Sequence, residues 1–342
     1  MHRVKRLARL YRPIAELRPW PRRLVEFVVL ATIGALVLVE TRMLWFFSDD
    51  WAFIIGRRQL RLHHRIGDFL WAPHNEHLMA GLAVVYAALT ALFGLSSPFP
   101  FMLLLTVGNV ALTWLVSVLV RRAGARWEWG IVAMVWLGFL GAGNEDIIWQ
   151  VQIGYVWSLA LGLGATLIAT RPLAPCEGVR VPWGEIGRDG GAAALFVLGL
   201  LLGPITLVTM LGCGLVLAVD GPIQRSWRRG LRALTLPAVF FAWWYGTYGR
   251  RFTPPWGHPA RKMPAYFLRG TTNSLDKLVQ VRGLGVLLAA AAVALLGAQW
   301  RNRRVRNTTQ PTAAPNSADT AAAAGSVHRN GQSNLPHSTA VV

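Results

Sequence analysis

Apolar residues in this chain come in long runs, with short polar segments between them. The first run, about Leu24 to Phe47, predicts a helix long enough to cross the ~30 Å of bilayer hydrocarbon. The next stretch, Trp51 to His77, is too polar to span. It contains Arg57-Arg58-Gln59-Leu60-Arg61-Leu62-His63-His64-Arg65, where mixed apolar and basic residues predict a helix lying in the interface plane. Leu78 to Leu95 is apolar but short, and ends at Ser96-Ser97-Pro98-Phe99-Pro100. Further runs follow at about Phe99–Val120, Trp129–Ala142, Ile153–Ala169, Ala192–Val219, Leu234–Tyr248 and Val281–Trp300. Gly203-Pro204 interrupts the run from Ala192, which predicts two short helices or a re-entrant hairpin. Beyond Asn307 the chain is rich in Thr, Ala, Ser, Asn and Pro with no apolar period, so a disordered tail is expected. No internal repeat is evident.

The expected fold is therefore all-α: a polytopic transmembrane helical protein with juxtamembrane interfacial helices in its first outer loop. Its expected parts are a basic cytoplasmic N-terminus (1–23), a transmembrane domain (24–300, with the first outer loop at 48–97) and a disordered cytoplasmic tail (301–342). The N-terminus does not read as a cleavable signal, because its basic stretch is too long and no small-residue cleavage site follows the first run.

Charge sets the orientation. Arg3, Lys5, Arg6, Arg9, Arg22 and Arg23 place the N-terminus in the cytoplasm of a multi-pass plasma-membrane protein. If Leu78–Leu95 crossed, the Arg121-Arg122-Ala123-Gly124-Ala125-Arg126 loop would fall outside. Treating Leu78–Leu95 as a helix on the outer face restores the rule. Asn144-Glu145-Asp146 then emerges on the face that carries Asp49-Asp50. Arg225, Arg228, Arg229 and Arg232 mark a cytoplasmic loop, as does Thr170–Gly191 before them.

Composition agrees with a membrane chain: 54% of residues are hydrophobic, and mean hydropathy is +0.39. The net charge of +19 would point to nucleic acid in a soluble domain. Here most arginines flank apolar runs, and no basic stripe with interleaved aromatics forms a soluble module, so no nucleic-acid partner is expected. Cys176 lies in a polar loop and Cys213 in an apolar run, which argues against a disulfide or a metal site built on them. Glu26, near the cytoplasmic end of the first run, is expected to snorkel.

Three polar clusters share the outer face in this topology. They are Asp49-Asp50, His74-Asn75-Glu76-His77, and Asn144-Glu145-Asp146 followed by Gln150 and Gln152. Each holds residue types that serve as base, acid or metal ligand. Each also has a plainer reading. An aspartate caps a following helix, two histidines three apart form a solvated turn as readily as a metal site, and Glu145 and Asp146 suit an ordinary loop. The later outer loop carries Arg250, Arg251 and His258, which suit a lipid-linked phosphate or merely lipid headgroups.

These features together resemble the class C glycosyltransferases, integral membrane enzymes that use polyprenyl-phosphate-linked sugars, and most nearly the bacterial, actinobacterial-type members. The carriers are the acidic pair after the first run, the interfacial loop ending in His74-Asn75-Glu76-His77, and the second acidic loop at Asn144-Glu145-Asp146. The resemblance implies sugar transfer to an envelope acceptor at the outer membrane surface. An Asp of the first outer loop would be the general base: Asp49 or Asp50, with Asp50 favoured because it lies further beyond the apolar run. Glu145 or Asp146 would position acceptor or a divalent metal ion; the sequence assigns no cofactor. His74, Glu76, His77, Gln150, Gln152, Arg250, Arg251 and His258 would contact substrate. The chain departs from the class in having fewer spans and no soluble C-terminal domain. A non-catalytic membrane assembly partner and a lipid or sugar transporter are the alternatives, and membrane-protein partners suit the first of them.

Overall fold

The computed structural model describes residues 19–139, 148–171, 183–219 and 223–252, and scattered positions between 265 and 294. Asn144, Glu145, Asp146, Cys176 and His258 lie outside the described residues, as does most of the last apolar run. The regular elements described are all helical, apart from one isolated bridge between His74 and His77. The chain divides into two compact units, Met1–Ala265 and Tyr266–Val342. In the second, the Thr272 hydroxyl donates to the Leu268 carbonyl one turn back. The elements below belong to the first.

Helix α1, Pro19–Thr41, tolerates Pro19 and Pro21 because the first-turn amides have no intrahelical partner. It ends at Thr41, short of the predicted Phe47. Tertiary packing takes over there: Phe46 meets Phe101 edge-on with ring centroids 5.0 Å apart, and Phe47 stacks on Trp149 at 4.8 Å. A π-helical turn at Ala52–Gly56 leads into α2, Arg57–Leu62, and α3, Ile66–Trp71. Arg57 does not behave like its basic neighbours. It is buried, and its guanidinium donates to the carbonyls of Asp68, Phe69 and Ala72, closing the C-terminal end of α3.

Three segments are long and apolar enough to cross a membrane: Trp20–Thr41, Phe99–Arg122 and Gln150–Ala169. They lie in α1, in α5 (Phe99–Arg122) and in the 3-10 turn Gln150–Gln152 with α7 (Ile153–Ala169). Leu24, Phe27, Val28, Leu36 and Val39 of α1 are exposed, an apolar surface that water does not favour. α5 runs antiparallel to α1, with Arg121 meeting Glu26 and Gly34 seated against Val110. Glu26 is thus ion-paired, not snorkelling. After Gly124, whose φ of 92° suits only glycine, α6 (Trp127–Gly138) turns back. α7 runs parallel to α5: the Trp157 indole donates to the Leu104 carbonyl at 3.0 Å, and Arg122 reaches the Leu167 carbonyl.

α8 (Trp183–Leu202) and α9 (Thr206–Val219) form the hairpin expected at Gly203-Pro204. The Ser158 hydroxyl on α7 donates to the Gly203 carbonyl at 2.7 Å and accepts from the Thr206 amide at 3.2 Å, which satisfies backbone groups freed by the break. α8 starts inside the stretch expected to be loop. Asp189 on it is fully buried and meets Arg232 at 2.7 Å and Arg229 at 3.8 Å, both from α10 (Ile223–Thr247). Arginine partners let those turns be helical.

The bundle consequently has two polar ends. One gathers Glu26, Arg121, Arg122, Asp189 and Arg229. The other gathers the first-loop helices, the start of α7 and the end of α10, where the Trp244 indole donates to the Trp71 carbonyl at 3.0 Å. Helix α4, Ala80–Phe93, stays at this second end. Its first turn packs on Leu201, and Leu95 beyond it joins the cluster around Phe101 at the start of α5.

Candidate functional site

Asp49 and Asp50 are adjacent in sequence but have different surroundings. Asp50 is fully buried. Its carboxylate accepts from the Phe47 amide at 3.1 Å and from the Tyr86 hydroxyl of α4. Burial raises its pKa above the ordinary aspartate value. Tyr86, the Phe47 amide and the Trp149 indole oppose that rise, while the neighbouring Asp49 charge adds to it. Asp49 keeps 35% of its side chain exposed. It accepts from the Asn75 amide at 3.2 Å and lies 3.4 Å from His74 Nε2.

The segment His74-Asn75-Glu76-His77 folds into a tight turn. His74 and His77 exchange backbone hydrogen bonds at 3.0 and 2.9 Å, and the two central residues have φ of 46° and 68°. Positive φ at both centres is the type I′ geometry, which favours Asn at the first and usually takes Gly at the second. Glu76 occupies the glycine position at some conformational cost. Ser48, directly before Asp49, also has φ of 49°. Three of the four non-glycine residues with positive φ among those described therefore flank the Asp49–His74 pair. Such strain persists only where the surroundings over-determine it.

Those surroundings are aromatic. The His74 ring lies 4.7 Å from Phe53, Phe53 lies 5.3 Å from Tyr86, and Tyr86 lies 5.0 Å from Phe101. Phe53, Tyr86 and Phe101 are buried, so His74 and Asp50 rest on one rigid floor. His77 faces Tyr155 of α7 edge-on at 6.3 Å. Partial burial and the nearby His74 hold its pKa below the ordinary histidine value, against the pull of exposed Glu76.

Gln150 is fully buried and donates to the Trp45 carbonyl at 3.4 Å, while its own Oε1 has no hydrogen-bond partner among the described residues. Gln152 is half-buried at the entry to α7. Arg250 and Arg251 are exposed in the 3-10 turn that follows α10, and the Arg251 guanidinium lies 5.3 Å from the Tyr248 ring. Asp49, Asp50, His74, Glu76, His77, Gln150 and Gln152 are thus brought to one end of the bundle, with Arg250 and Arg251 at the far end of α10 beside α3. Among the described residues no three His, Cys, Asp or Glu side chains are grouped to hold a metal ion.

Sequence reasoning named Asn75 in its cluster without giving it a role, and missed Tyr86 as a site residue. Tyr86 carried a signal: a buried tyrosine needs a partner for its hydroxyl, and a lone one in an apolar run asks for an acceptor elsewhere. No protein-family model matches the chain, and no curated protein or solved structure matches it.

Proposed function

We propose that this protein is a multi-pass plasma-membrane glycosyltransferase with a cytoplasmic N-terminus. It would transfer a sugar from a polyprenyl-phosphate carrier to an envelope acceptor at the extracytoplasmic surface. One observation carries the reading: Asp49, half-exposed and paired with His74 on strained turns, sits at one end of helices long enough to cross a membrane. A carboxylate so placed is reachable by an acceptor hydroxyl, whereas Asp50 is enclosed. Asp49 therefore takes the role of general base, and Asp50, locked to Tyr86 and the Phe47 amide, anchors the start of the first loop.

In this mechanism the acceptor oxygen attacks the anomeric carbon as its proton passes to Asp49. The bond from that carbon to the phosphate oxygen breaks, and its electron pair leaves with the phosphate. A one-step displacement of this kind inverts the anomeric centre. Asn75 and His74 hold the Asp49 carboxylate in one orientation, which shortens the search for a productive geometry. Arg250 and Arg251 are exposed cations suited to the departing phosphate. The first-loop helices lie along the interface, where a lipid-borne donor would enter laterally.

Asp49→Asn should reduce transfer of radiolabelled sugar from polyprenyl-phosphate donors in native membranes by about 10²–10⁴-fold at unchanged protein level. Full activity in that variant would remove Asp49 from the chemistry.

A further inference from the structure

The turn Ala52–Gly56 and helix α2 have two unlike faces. Phe53, Ile54 and Arg57 are buried against the bundle. Ile55, Arg58 and Leu62 face the other way and are exposed, Ile55 and Leu62 more than half so, and Arg61, one turn beyond Arg57, is exposed at the end of the helix. Ile66, at the start of α3, extends the apolar part. Spacings of three, four and seven residues put Ile55, Arg58 and Leu62 on one helical face, with Arg61 beside them. Arg65 is already matched by Asp68 at 2.6 Å, but neither Arg58 nor Arg61 has a carboxylate partner among the described residues.

We propose that this face is a docking surface for the anionic headgroups of the bilayer, with Arg58 and Arg61 on phosphate and Ile55, Leu62 and Ile66 in the acyl boundary. It rests on the membrane reading above but not on the chemistry at Asp49. Two observations favour a lipid surface over a protein. The two unpaired cations are interleaved with apolar side chains, the composition that binds interfaces. The face also sits at the end of the apolar helices α1, α5 and α7, where headgroups would lie. Arg57, bonded to three carbonyls, fixes the angle at which the face is presented.

The test is native mass spectrometry of the full-length protein in detergent, titrated separately with phosphatidylglycerol, phosphatidylcholine and a polyprenyl phosphate. The wild type should retain at least about threefold more phosphatidylglycerol than phosphatidylcholine, and the excess should fall in 0.5 M salt. Arg58→Gln/Arg61→Gln should erase the excess while polyprenyl phosphate is still retained. Equal retention of the two phospholipids by the wild type overturns the proposal, as does an undiminished excess in the variant. Loss of polyprenyl phosphate alone also overturns it, because the face would then be a carrier site. Should the double variant fail to fold, Arg61→Gln alone and the wild-type salt series decide in the same way. Recovery of the chain as a soluble protein without detergent would sink the membrane reading, a failure distinct from lack of lipid preference.

Discussion

Asp49 and Asp50, at one polar end of the helical bundle, are held differently from the carboxylates at the other end. At one end Glu26 pairs with Arg121, Glu128 with Arg126, and Asp189 with Arg229 and Arg232. At the other, Asp68 pairs with Arg65 in the same way, but Asp49 has an amide and a histidine, and Asp50 a tyrosine and a backbone amide. An arginine partner is always charged and holds a carboxylate ionised and occupied. Tyrosine and amide partners orient a carboxylate without neutralising it, and a histidine does so in its neutral form, so lone pairs stay available for a proton. The first arrangement fastens helices together, and the second leaves a group able to react.

The sharpest way to break this contrast is to remove one carboxylate from each end. Asp189→Ala strands a nearly buried Arg229 and should destabilise the protein by about 3–5 kcal/mol, seen as a large loss of folded material in detergent. Asp49→Asn should leave thermal unfolding almost unmoved while activity collapses. Equal destabilisation by both would erase the distinction. Tyr86→Phe comes next. It removes one of Asp50's partners and should cost about 1–3 kcal/mol in the same unfolding measurement, with activity falling only as stability does. Abolished activity at unchanged stability would move the chemistry from Asp49 to Asp50.

The smallest effect is on pH dependence. His77 has a lowered pKa in the folded state, so folding favours its neutral form. Its contribution to stability is full above the ordinary value of 6.5 and is lost as pH falls through the folded value. Melting should therefore drop as pH falls from about 7.5 through 6.5 and below, and His77→Gln should lack that component. An identical pH profile in the variant would assign the drop to other groups.

Much of the fold is legible in the run lengths, because a long helix with an apolar surface leaves a long apolar signature. α5, α7 and the break at Gly203-Pro204 follow from it directly. The end of α1 does not, since Met43 to Phe47 continue the apolar run but are irregular chain, from which Phe46 packs on Phe101 and Phe47 on Trp149. The grouping of Asp49 with His74 and Gln150 is legible through the topology argument. Their inequality is not: Asp50 is buried by Tyr86, thirty-six residues on, and no local pattern announces that pairing. Arg57 is hidden for the same reason. In sequence it is one basic residue among several, and only the fold supplies its carbonyls.

The buried Asp189 has a consequence for how the protein is made. Its partner Arg232 lies forty-three residues later in the chain. At ~5–20 residues per second, α8 would wait roughly 2–9 s for the arginines that neutralise it. During that interval burying the unpaired Asp189 carboxylate would cost a few kcal/mol, so the α8–α9 hairpin should not settle until α10 arrives. Chains truncated after residue 220 should leave a cysteine at Gly203 open to a water-soluble thiol reagent, and chains extended through 250 should protect it. Protection in both would mean that the hairpin inserts on its own. On this view the late arginines act as a timer, keeping residues 183–219 from packing until the helix that completes them has been synthesised.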